Sequence, residues 1–380
     1  MRGFLRAPHL LLLSALAGVA CQPEPTPWVW DLPLGFPEMR VPEDNPITVE
    51  KVELGRHLFF DRALSRNETQ ACGSCHDQGL AFTDGLAQSV GSTGELTPRG
   101  SMALANIGYA STLTWASHLV RELEDQAALP LFGEAPVELG WAGAEDELVA
   151  RLADRPVYQD LFRAAWPEEE EPVTLAHTLQ AIASFQRTLL SGRSPFDRFV
   201  YDKDEAALSA SAQRGMQLFF TEKVECFHCH GGFNFTDSTR SATTPLDERP
   251  FHNNGLYNIG GTGAYPPGGE GLFSVTGDPA DMGRFKAPSL RNIALTAPYM
   301  HDGSVATLSE VIDHYAAGGR DIVDGPYAGD GRLNPNKNAF VIGFSLSAQE
   351  KADLLAFLES LTDDAFISDP AHAPPGPPPR

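Results

Sequence analysis

The chain has 380 residues, more than one hydrophobic core usually holds, so its length predicts roughly two domains. Fifty acidic residues against 28 basic ones give a formal net charge of -22, which argues against nucleic acid or anionic lipid as a partner and favours a neutral or basic protein surface. Thirty prolines and 35 glycines predict long irregular loops.

The N-terminus has the layout of an export signal. Arg2 and Arg6 precede an apolar run at 10–16, which is too short to span a bilayer, and small residues follow at 17–20. Residues 1–20 are therefore predicted to be a signal peptide that sends the chain to the periplasm.

Cys21 follows Val19 and Ala20 as the cysteine of a bacterial lipobox does. We predict cleavage before Cys21 and lipidation of its thiol, which would anchor the protein to a membrane surface. Gly18 stands where a lipobox usually has leucine, so ordinary signal cleavage with a free thiol at Cys21 is the alternative.

An internal repeat divides the rest of the chain. Residues 55–60 resemble residues 215–220, and each segment precedes a Cys-x-x-Cys-His motif; Phe-Thr-Asp follows both motifs, at 82–84 and at 235–237. The repeat predicts a duplicated module. The expected divisions are a proline-rich tether with Trp28 and Trp30 (21–46), an N-terminal domain (47–200), a C-terminal domain (201–365) and a disordered proline-rich tail (366–380).

The segment before each motif carries apolar residues at helical spacing, with Gly55 or Gly215 in its middle. A glycine inside a helix costs about 1 kcal/mol relative to alanine, so we expect a second helix to cross closely there. Strand signals are few, and the fold class is predicted as mainly α with long loops. Further helices are predicted at 145–153, 174–190, 307–316 and 347–361.

Each Cys-x-x-Cys-His motif can attach one haem, because its two thiols add to the haem vinyl groups while the histidine binds the iron from the proximal side. One motif could be a chance match or a thiol redox site. Two motifs in an exported, duplicated chain, using four of its five cysteines, predict two covalent haem c groups in two cytochrome c-like domains. The predicted attachment residues are Cys72, Cys75 and His76 in the first motif and Cys226, Cys229 and His230 in the second.

The second axial position of each iron separates electron transfer from catalysis, because a catalytic haem keeps one side open. Between His76 and His118 the chain offers only Met102 as a strong soft ligand, so an open first haem is favoured. Ligation by His118 or His177 is the alternative. His228 lies inside the second motif, where its ring is expected to face solvent.

Two sets of segments carry a family resemblance. The first comprises 55–61, 64–65, 72–76, 81–85, 285–292 and 297–304. Together they resemble the bacterial dihaem cytochrome c peroxidase and MauG superfamily over nearly all of the mature chain. The second set comprises 44–46, 90–95, 225–235 and 263–266, and it resembles the MauG-like enzymes associated with methanobactin operons, the MbnH type.

The resemblance implies that His76 serves the peroxide-binding haem and His230 the electron-reservoir haem. It also places Tyr315 where the peroxidases have a methionine ligand and MauG has a tyrosine. A hard phenolate ligand favours ferric and higher oxidation states, so Tyr315 suits storage of an oxidising equivalent. The adjacent His314 is the rival ligand, and a tyrosine that is merely packed is the other alternative.

Glu124 matches the family's distal glutamate, which could take a proton from bound peroxide and return it to the leaving oxygen. A solvated glutamate on a helix face is the alternative. The family's distal glutamine would fall at Thr114, which does not match, and the histidine with which peroxidases close the first haem has no counterpart at 77–117. The resemblance therefore implies a first haem that is open without reductive activation.

Thr296 and Pro298 match positions whose carbonyl oxygens hold a calcium ion in this superfamily, so one calcium ion is expected. Trp115 is a candidate electron relay between the haems, because an aromatic ring can carry a hole. A core tryptophan is the alternative.

The resulting prediction is an enzyme: a di-haem oxidase of the MauG type that uses hydrogen peroxide to form a high-valent di-haem state and then oxidises a periplasmic partner protein. The narrower resemblance implies tryptophan oxidation, toward kynurenine, in a copper-binding partner. One alternative is a cytochrome c peroxidase that takes electrons from a small cytochrome c. The other is a non-enzymatic electron carrier. Tyr315 and the histidine-free loop argue against both.

Overall fold

The computed structural model describes residues 24–245 and 248–376. The predicted signal peptide and Cys21 lie outside the described residues. Within these two ranges the fold is mainly α, as predicted, with long loops and a single two-stranded antiparallel sheet. No helix within them combines the length and the apolar character needed to cross a bilayer.

The helices differ in length, and several short ones lie within long loops. They are α1 (Val49–Phe60), α2 (Cys72–Cys75), α3 (Leu123–Phe132), α4 (Glu145–Ala153), α5 (Pro156–Ala165), α6 (Leu175–Arg187), α7 (Pro195–Val200), α8 (Ala210–Phe219), α9 (Phe273–Thr276), α10 (Leu308–Ala317), α11 (Ala348–Glu359) and α12 (Asp364–Ser368). The strands are β1 (Asp321–Ile322) and β2 (Gly329–Asp330), with Asp321 opposite Asp330.

All of the helices predicted from the sequence are present, and their ends agree within a few residues. Serine and threonine side chains set several of the starts by accepting a hydrogen bond from a backbone N–H of the first turn, which is otherwise unpaired. The capping residues are Thr48 for α1, Thr174 for α6, Ser209 for α8, Thr307 for α10 and Ser347 for α11.

The mid-helix glycines mark two close helix crossings, as predicted. A Cβ added at Gly55 of α1 would lie 1.9 Å from the carbonyl oxygen of Ala181 in α6. A Cβ added at Gly215 of α8 would lie 1.9 Å from the carbonyl oxygen of Asp353 in α11. Only glycine permits these approaches, so each helix that leads into a haem motif is fixed against one partner helix.

Two large clusters of buried apolar side chains lie in the two halves of the chain. The first packs α1 and α3–α6 together, around residues such as Phe59, Trp141 and Phe185. The second packs α7, α8, α10 and α11 around residues such as Phe235 and Phe357. Each cluster therefore supports one Cys-x-x-Cys-His motif.

The predicted tether is wrong for residues 24–46, because this segment packs against the N-terminal half. The backbone N–H of Trp28 donates to the carbonyl oxygen of Ile47 at 3.0 Å, and the Tyr109 hydroxyl donates to the carbonyl oxygen of Pro37 at 2.7 Å. Met39 is buried. The proline-rich residues 24–46 therefore form an ordered, extended arm.

The predicted disordered tail is also wrong for the residues up to 376. Phe366 of α12 is 2% exposed and joins the apolar cluster of the N-terminal half. Farther along, His372 is buried, and its Nε2 pairs with the carbonyl oxygen of Thr188 at 3.2 Å. The C-terminal segment therefore returns to the first half of the chain.

Candidate functional site

The second motif opens onto a cavity of about 260 Å³ that also reaches toward the first half of the chain. We call it the large cavity. Its border includes Cys226, Cys229, His230 and Tyr315. Much of its wall is apolar, from α8, α10 and α11. These side chains are Phe219, Leu308, Val311, Ile312, Leu354 and Leu358.

The first motif borders a second space, the small cavity, of about 80 Å³. Cys72, Cys75 and His76 lie on one side of it. Residues of α3 and α6, including Ala127 and Ile182, also border it. Each motif thus borders a cavity that both helices and loops line.

The two motif histidines are held in the same way. The Nδ1–H of His76 donates to the carbonyl oxygen of Phe82 at 2.7 Å, and that of His230 donates to the carbonyl oxygen of Phe235 at 3.1 Å. Both phenylalanines have a positive φ, 64° and 49°, which is rare for residues other than glycine. Because Nδ1 of each ring is engaged in this way, Nε2 is the nitrogen that would bind iron.

The electrostatics of both motifs suit covalent haem. Burial lowers the pKa of His76 and of His230, which keeps both rings neutral and able to bind a metal. Burial also raises the pKa of the Cys72 and Cys226 thiols to about 12, so neither is a reactive thiolate. All four motif cysteines are unpaired in the described residues. Paired thiols, an oriented histidine and apolar walls fit a haem c at each motif.

Tyr315 and its neighbour His314 differ in what they face. Tyr315 borders the large cavity with His230, and burial raises the pKa of its hydroxyl to about 12. His314 does not border that cavity: its Nε2 pairs with the backbone carbonyl of Asn254 at 3.0 Å, and burial lowers its pKa to about 4. The geometry favours Tyr315 over His314 as a partner of whatever His230 binds.

Glu124 lies at the start of α3 and is engaged by a buried arginine. Its carboxylate accepts hydrogen bonds from Arg187 at 2.7 and 2.8 Å and from the Asn45 amide at 2.6 Å. Burial would raise the pKa of Glu124, but the bonds and charge of Arg187, with Asn45, hold it below its usual value. Glu124 is not among the residues that border either cavity. Its catalytic role stays a prediction.

Gln126, Glu138 and Gln186 are among the polar side chains that border the small cavity and that the sequence reasoning missed. Gln186 is 5% exposed, and its Oε1 finds no hydrogen-bond partner among the described residues. Burial raises the pKa of Glu138. Gln186 follows Ile182 by one helical turn of α6, and that spacing could have indicated it once Ile182 was placed at the cavity.

The remaining predicted ligands lie apart from the small cavity. Met102 borders the large cavity. The His177 ring stacks on Trp166 with centroids 4.0 Å apart, and neither His177 nor His118 borders either cavity. The hydroxyl of Thr114 donates to the backbone of Ser117 at 3.2 Å.

Thr296, Pro298 and Trp115 all border the large cavity. The indole N–H of Trp115 donates to the carbonyl oxygen of Gly100 at 3.0 Å. Lys286, which the sequence reasoning missed, borders the same cavity: its Nζ donates to the carbonyl oxygen of Thr112 at 2.9 Å, and burial lowers its pKa to about 7.

Comparisons with known proteins agree with this geometry. A family model described as di-haem cytochrome c peroxidase matches residues 49–205. The chain is 38% identical over 320 residues to the methylamine utilization protein MauG of Methylorubrum extorquens, covering 84% of this chain and 80% of that protein. It is 32% identical over 269 residues to cytochrome c551 peroxidase of Pseudomonas aeruginosa, covering 70% of this chain and 72% of that one.

A solved structure is more similar still. The crystal structure of a MauG-like protein associated with microbial copper homeostasis is 52% identical in sequence, with a TM-score of 0.89. The match covers 92% of this chain and 99% of that chain. The likeness therefore spans both haem motifs.

Proposed function

Because the chain belongs to the di-haem cytochrome c peroxidase and MauG family, whose members are oxidoreductases that act on hydrogen peroxide, we propose that it is an oxidase of the MauG type. The observation that carries this proposal is Tyr315, which borders the same cavity as His230. A phenolate ligand favours the higher oxidation states of iron, which suits an enzyme that must keep an oxidising equivalent until a large substrate docks.

Each motif is assigned one haem c. His76 and His230 would bind the two irons, and the thiols of the two motifs would form the thioether bonds. When bound, the haems supply the peroxide and electron-transfer chemistry. The chain itself orients the histidines through Phe82 and Phe235. It would offer Tyr315 to the second haem and would leave a position for peroxide at the first.

Glu124 is proposed as the acid-base group for peroxide. Its Arg187 partner keeps the carboxylate ionised, which is the form that can accept a proton. Gln126 and Gln186 border the small cavity, and either amide could orient peroxide where the family glutamine is missing at Thr114.

The proposed substrate is a protein whose tryptophan is oxidised toward kynurenine. The solved relative that is 52% identical is associated with copper homeostasis, so a copper-binding partner is the leading candidate. The net charge of -22 favours a partner with a neutral or basic docking face.

The second candidate is a cytochrome c peroxidase that takes electrons from a small cytochrome c. It is supported by the 32% identity to cytochrome c551 peroxidase. The family consists of enzymes, which argues against a purely electron-carrying role without enzymatic activity.

We also propose that the two halves arose by duplication. The matched glycine crossings at Gly55 and Gly215, together with the matched Phe82 and Phe235 carbonyls, support it. The proposal also includes a calcium ion held by the carbonyls of Thr296 and Pro298 and an electron relay at Trp115. It places the protein in the periplasm, with a lipid anchor on Cys21.

The test offers one enzyme two substrates. Peroxide-treated holoenzyme receives a partner protein encoded nearby and a reduced small cytochrome c in equal amounts. The proposal predicts a mass gain on a partner tryptophan, from oxygen insertion or kynurenine formation. Rapid multiple-turnover oxidation of the cytochrome, with the partner mass unchanged, would assign the chain to the peroxidases.

A further inference from the structure

A series of aromatic side chains in contact with one another extends outward from one wall of the large cavity. Phe285 and His301 both border the cavity, and their rings stack with centroids 3.7 Å apart and an angle of 13°. The ring of Tyr265 lies 6.4 Å from each of them. Trp115, also on the cavity border, packs against the same apolar cluster. Tyr265 is thus one ring away from the cavity.

Two more tyrosines extend this contact to the surface. The ring centroids of Tyr265 and Tyr257 are 5.4 Å apart, and those of Tyr257 and Tyr327 are 6.1 Å apart. Tyr327 lies in the loop between β1 and β2 and is 41% exposed, the most exposed tyrosine of the described residues. The rings of Tyr265, Tyr257 and Tyr327 therefore form a continuous series of contacts from the cavity wall to solvent.

Only the middle tyrosine has a base beside its hydroxyl. The Tyr257 hydroxyl donates to the carboxylate of Asp302 at 2.6 Å, whereas that of Tyr265 donates to the neutral amide oxygen of Asn253 at 2.9 Å. The Arg320 guanidinium lies 4.4 Å from the centre of the Tyr257 ring and opposes a positive charge on it. Oxidation of Tyr257 is therefore favourable only when its proton moves to Asp302.

We propose that Tyr265, Tyr257 and Tyr327 form a hole-transfer chain, and that Tyr327 is a surface site where an aromatic side chain of a protein partner is oxidised. This inference rests on the proposed function, because peroxide supplies the oxidising equivalents.

The electrons and protons balance at each step. Tyr257 gives one electron, through Tyr265, to the peroxide-oxidised enzyme, and its proton moves to Asp302. Tyr327 then gives one electron to the Tyr257 radical, Asp302 returns the proton to Tyr257, and Tyr327 loses its own proton to water. An indole or phenol of the partner restores Tyr327 by giving up one electron and one proton. Two such events supply the two electrons and two protons that convert one hydrogen peroxide to two waters.

The surface around Tyr327 suits such a partner. Val323, in the same loop, is 84% exposed. Asp324 is exposed beside Val323. An exposed apolar side chain next to an acidic group favours a partner whose aromatic residue has apolar and basic neighbours.

The test traps the radical on the holoenzyme without any partner. The enzyme receives hydrogen peroxide and the spin trap 2-methyl-2-nitrosopropane, and the adduct is located by EPR and peptide mass spectrometry. We expect an adduct on the peptide that carries Tyr327. The variants Tyr327→Phe and Tyr257→Phe should lose it, and Asp302→Asn, which keeps a hydrogen-bond acceptor but removes the base, should weaken it.

Tyr158→Phe is the matched control, because the Tyr158 hydroxyl donates to Asp61 at the same 2.6 Å and Tyr158 borders neither cavity. It should keep the Tyr327 adduct. The haem absorbance after peroxide is recorded in the same samples. An absorbance change without an adduct at Tyr327, or an adduct that survives in Tyr257→Phe, overturns the chain while the proposed function stands. No absorbance change overturns both.

Discussion

Arg187 holds Glu124 in a half-buried bidentate ion pair, with N–O distances of 2.7 and 2.8 Å. The two residues come from different helices, α6 and α3. Arg187 is 2% exposed, so removal of the Glu124 charge would leave a buried arginine without its acidic partner. The pair is both a structural element and the setting of the proposed acid-base group.

Replacement of Glu124 by glutamine should slow peroxide activation by about 100-fold or more, the range for a positioned acid-base group, while both haems stay attached. Stopped-flow absorbance after mixing with peroxide measures the rate. Glu122→Gln is the matched control, since Glu122 is also paired with an arginine, Arg240, at 2.9 Å. Equal rates in the Glu124 variant and its control would remove Glu124 from the mechanism.

The same pair predicts a pH dependence of stability. The pKa of Glu124 is lowered in the folded protein, so its stabilising contribution is present above the ordinary glutamate pKa of 4.5 and is lost as pH falls through the folded value. The difference in melting temperature between wild type and Glu124→Gln should therefore shrink on acidification from about pH 6 to about pH 3. A difference that grows as the pH falls would contradict the assigned pKa direction.

Two covalent haems per chain are predicted from the two motifs. Denaturing mass spectrometry of protein matured with a c-haem assembly system should show two haem additions. The double variant Cys226→Ser/Cys229→Ser should show one. A single addition on the wild-type chain would contradict the dihaem assignment.

Alanine at either crossing glycine should destabilise the fold by about 1–3 kcal/mol or more, because the new Cβ would overlap a backbone carbonyl that cannot move independently. Urea unfolding of Gly55→Ala and Gly215→Ala measures the loss. Gln217→Ala, at an exposed position of α8, is the control and should change the free energy of unfolding by less than about 0.5 kcal/mol. Unchanged midpoints in both glycine variants would show that the crossings can relax.

The haem motifs and the helices around them were predictable because their chemistry is local. The site of covalent haem attachment needs only the sequence Cys-x-x-Cys-His. A glycine in the middle of a helix likewise predicts that a second helix crosses closely there. The family pattern also predicts Tyr315 as a ligand of the second haem, and this stays a prediction; the structure shows that Tyr315, and not His314, borders the large cavity.

Other features depend on contacts between distant segments. Arg187 reaches Glu124 across 63 positions, and no local pattern marks the pair. The 24–46 arm and the segment after α12 have a composition typical of linkers, yet Met39, Phe366 and His372 are buried by parts of the chain that composition does not reveal. The contacts between Tyr265, Tyr257 and Tyr327 likewise arise only in the folded chain, and no sequence pattern indicates them.

Tyr315 is the residue on which the MauG-type assignment depends, and EPR of the ferric holoenzyme tests it most directly. We predict one high-spin centre, from the open first haem, and one low-spin centre. Tyr315→Phe should change only the low-spin signal, whereas Tyr299→Phe, at another tyrosine that borders the large cavity, should leave both signals unchanged. Two low-spin centres in the wild type, or a low-spin signal unaffected by Tyr315→Phe, would contradict the account.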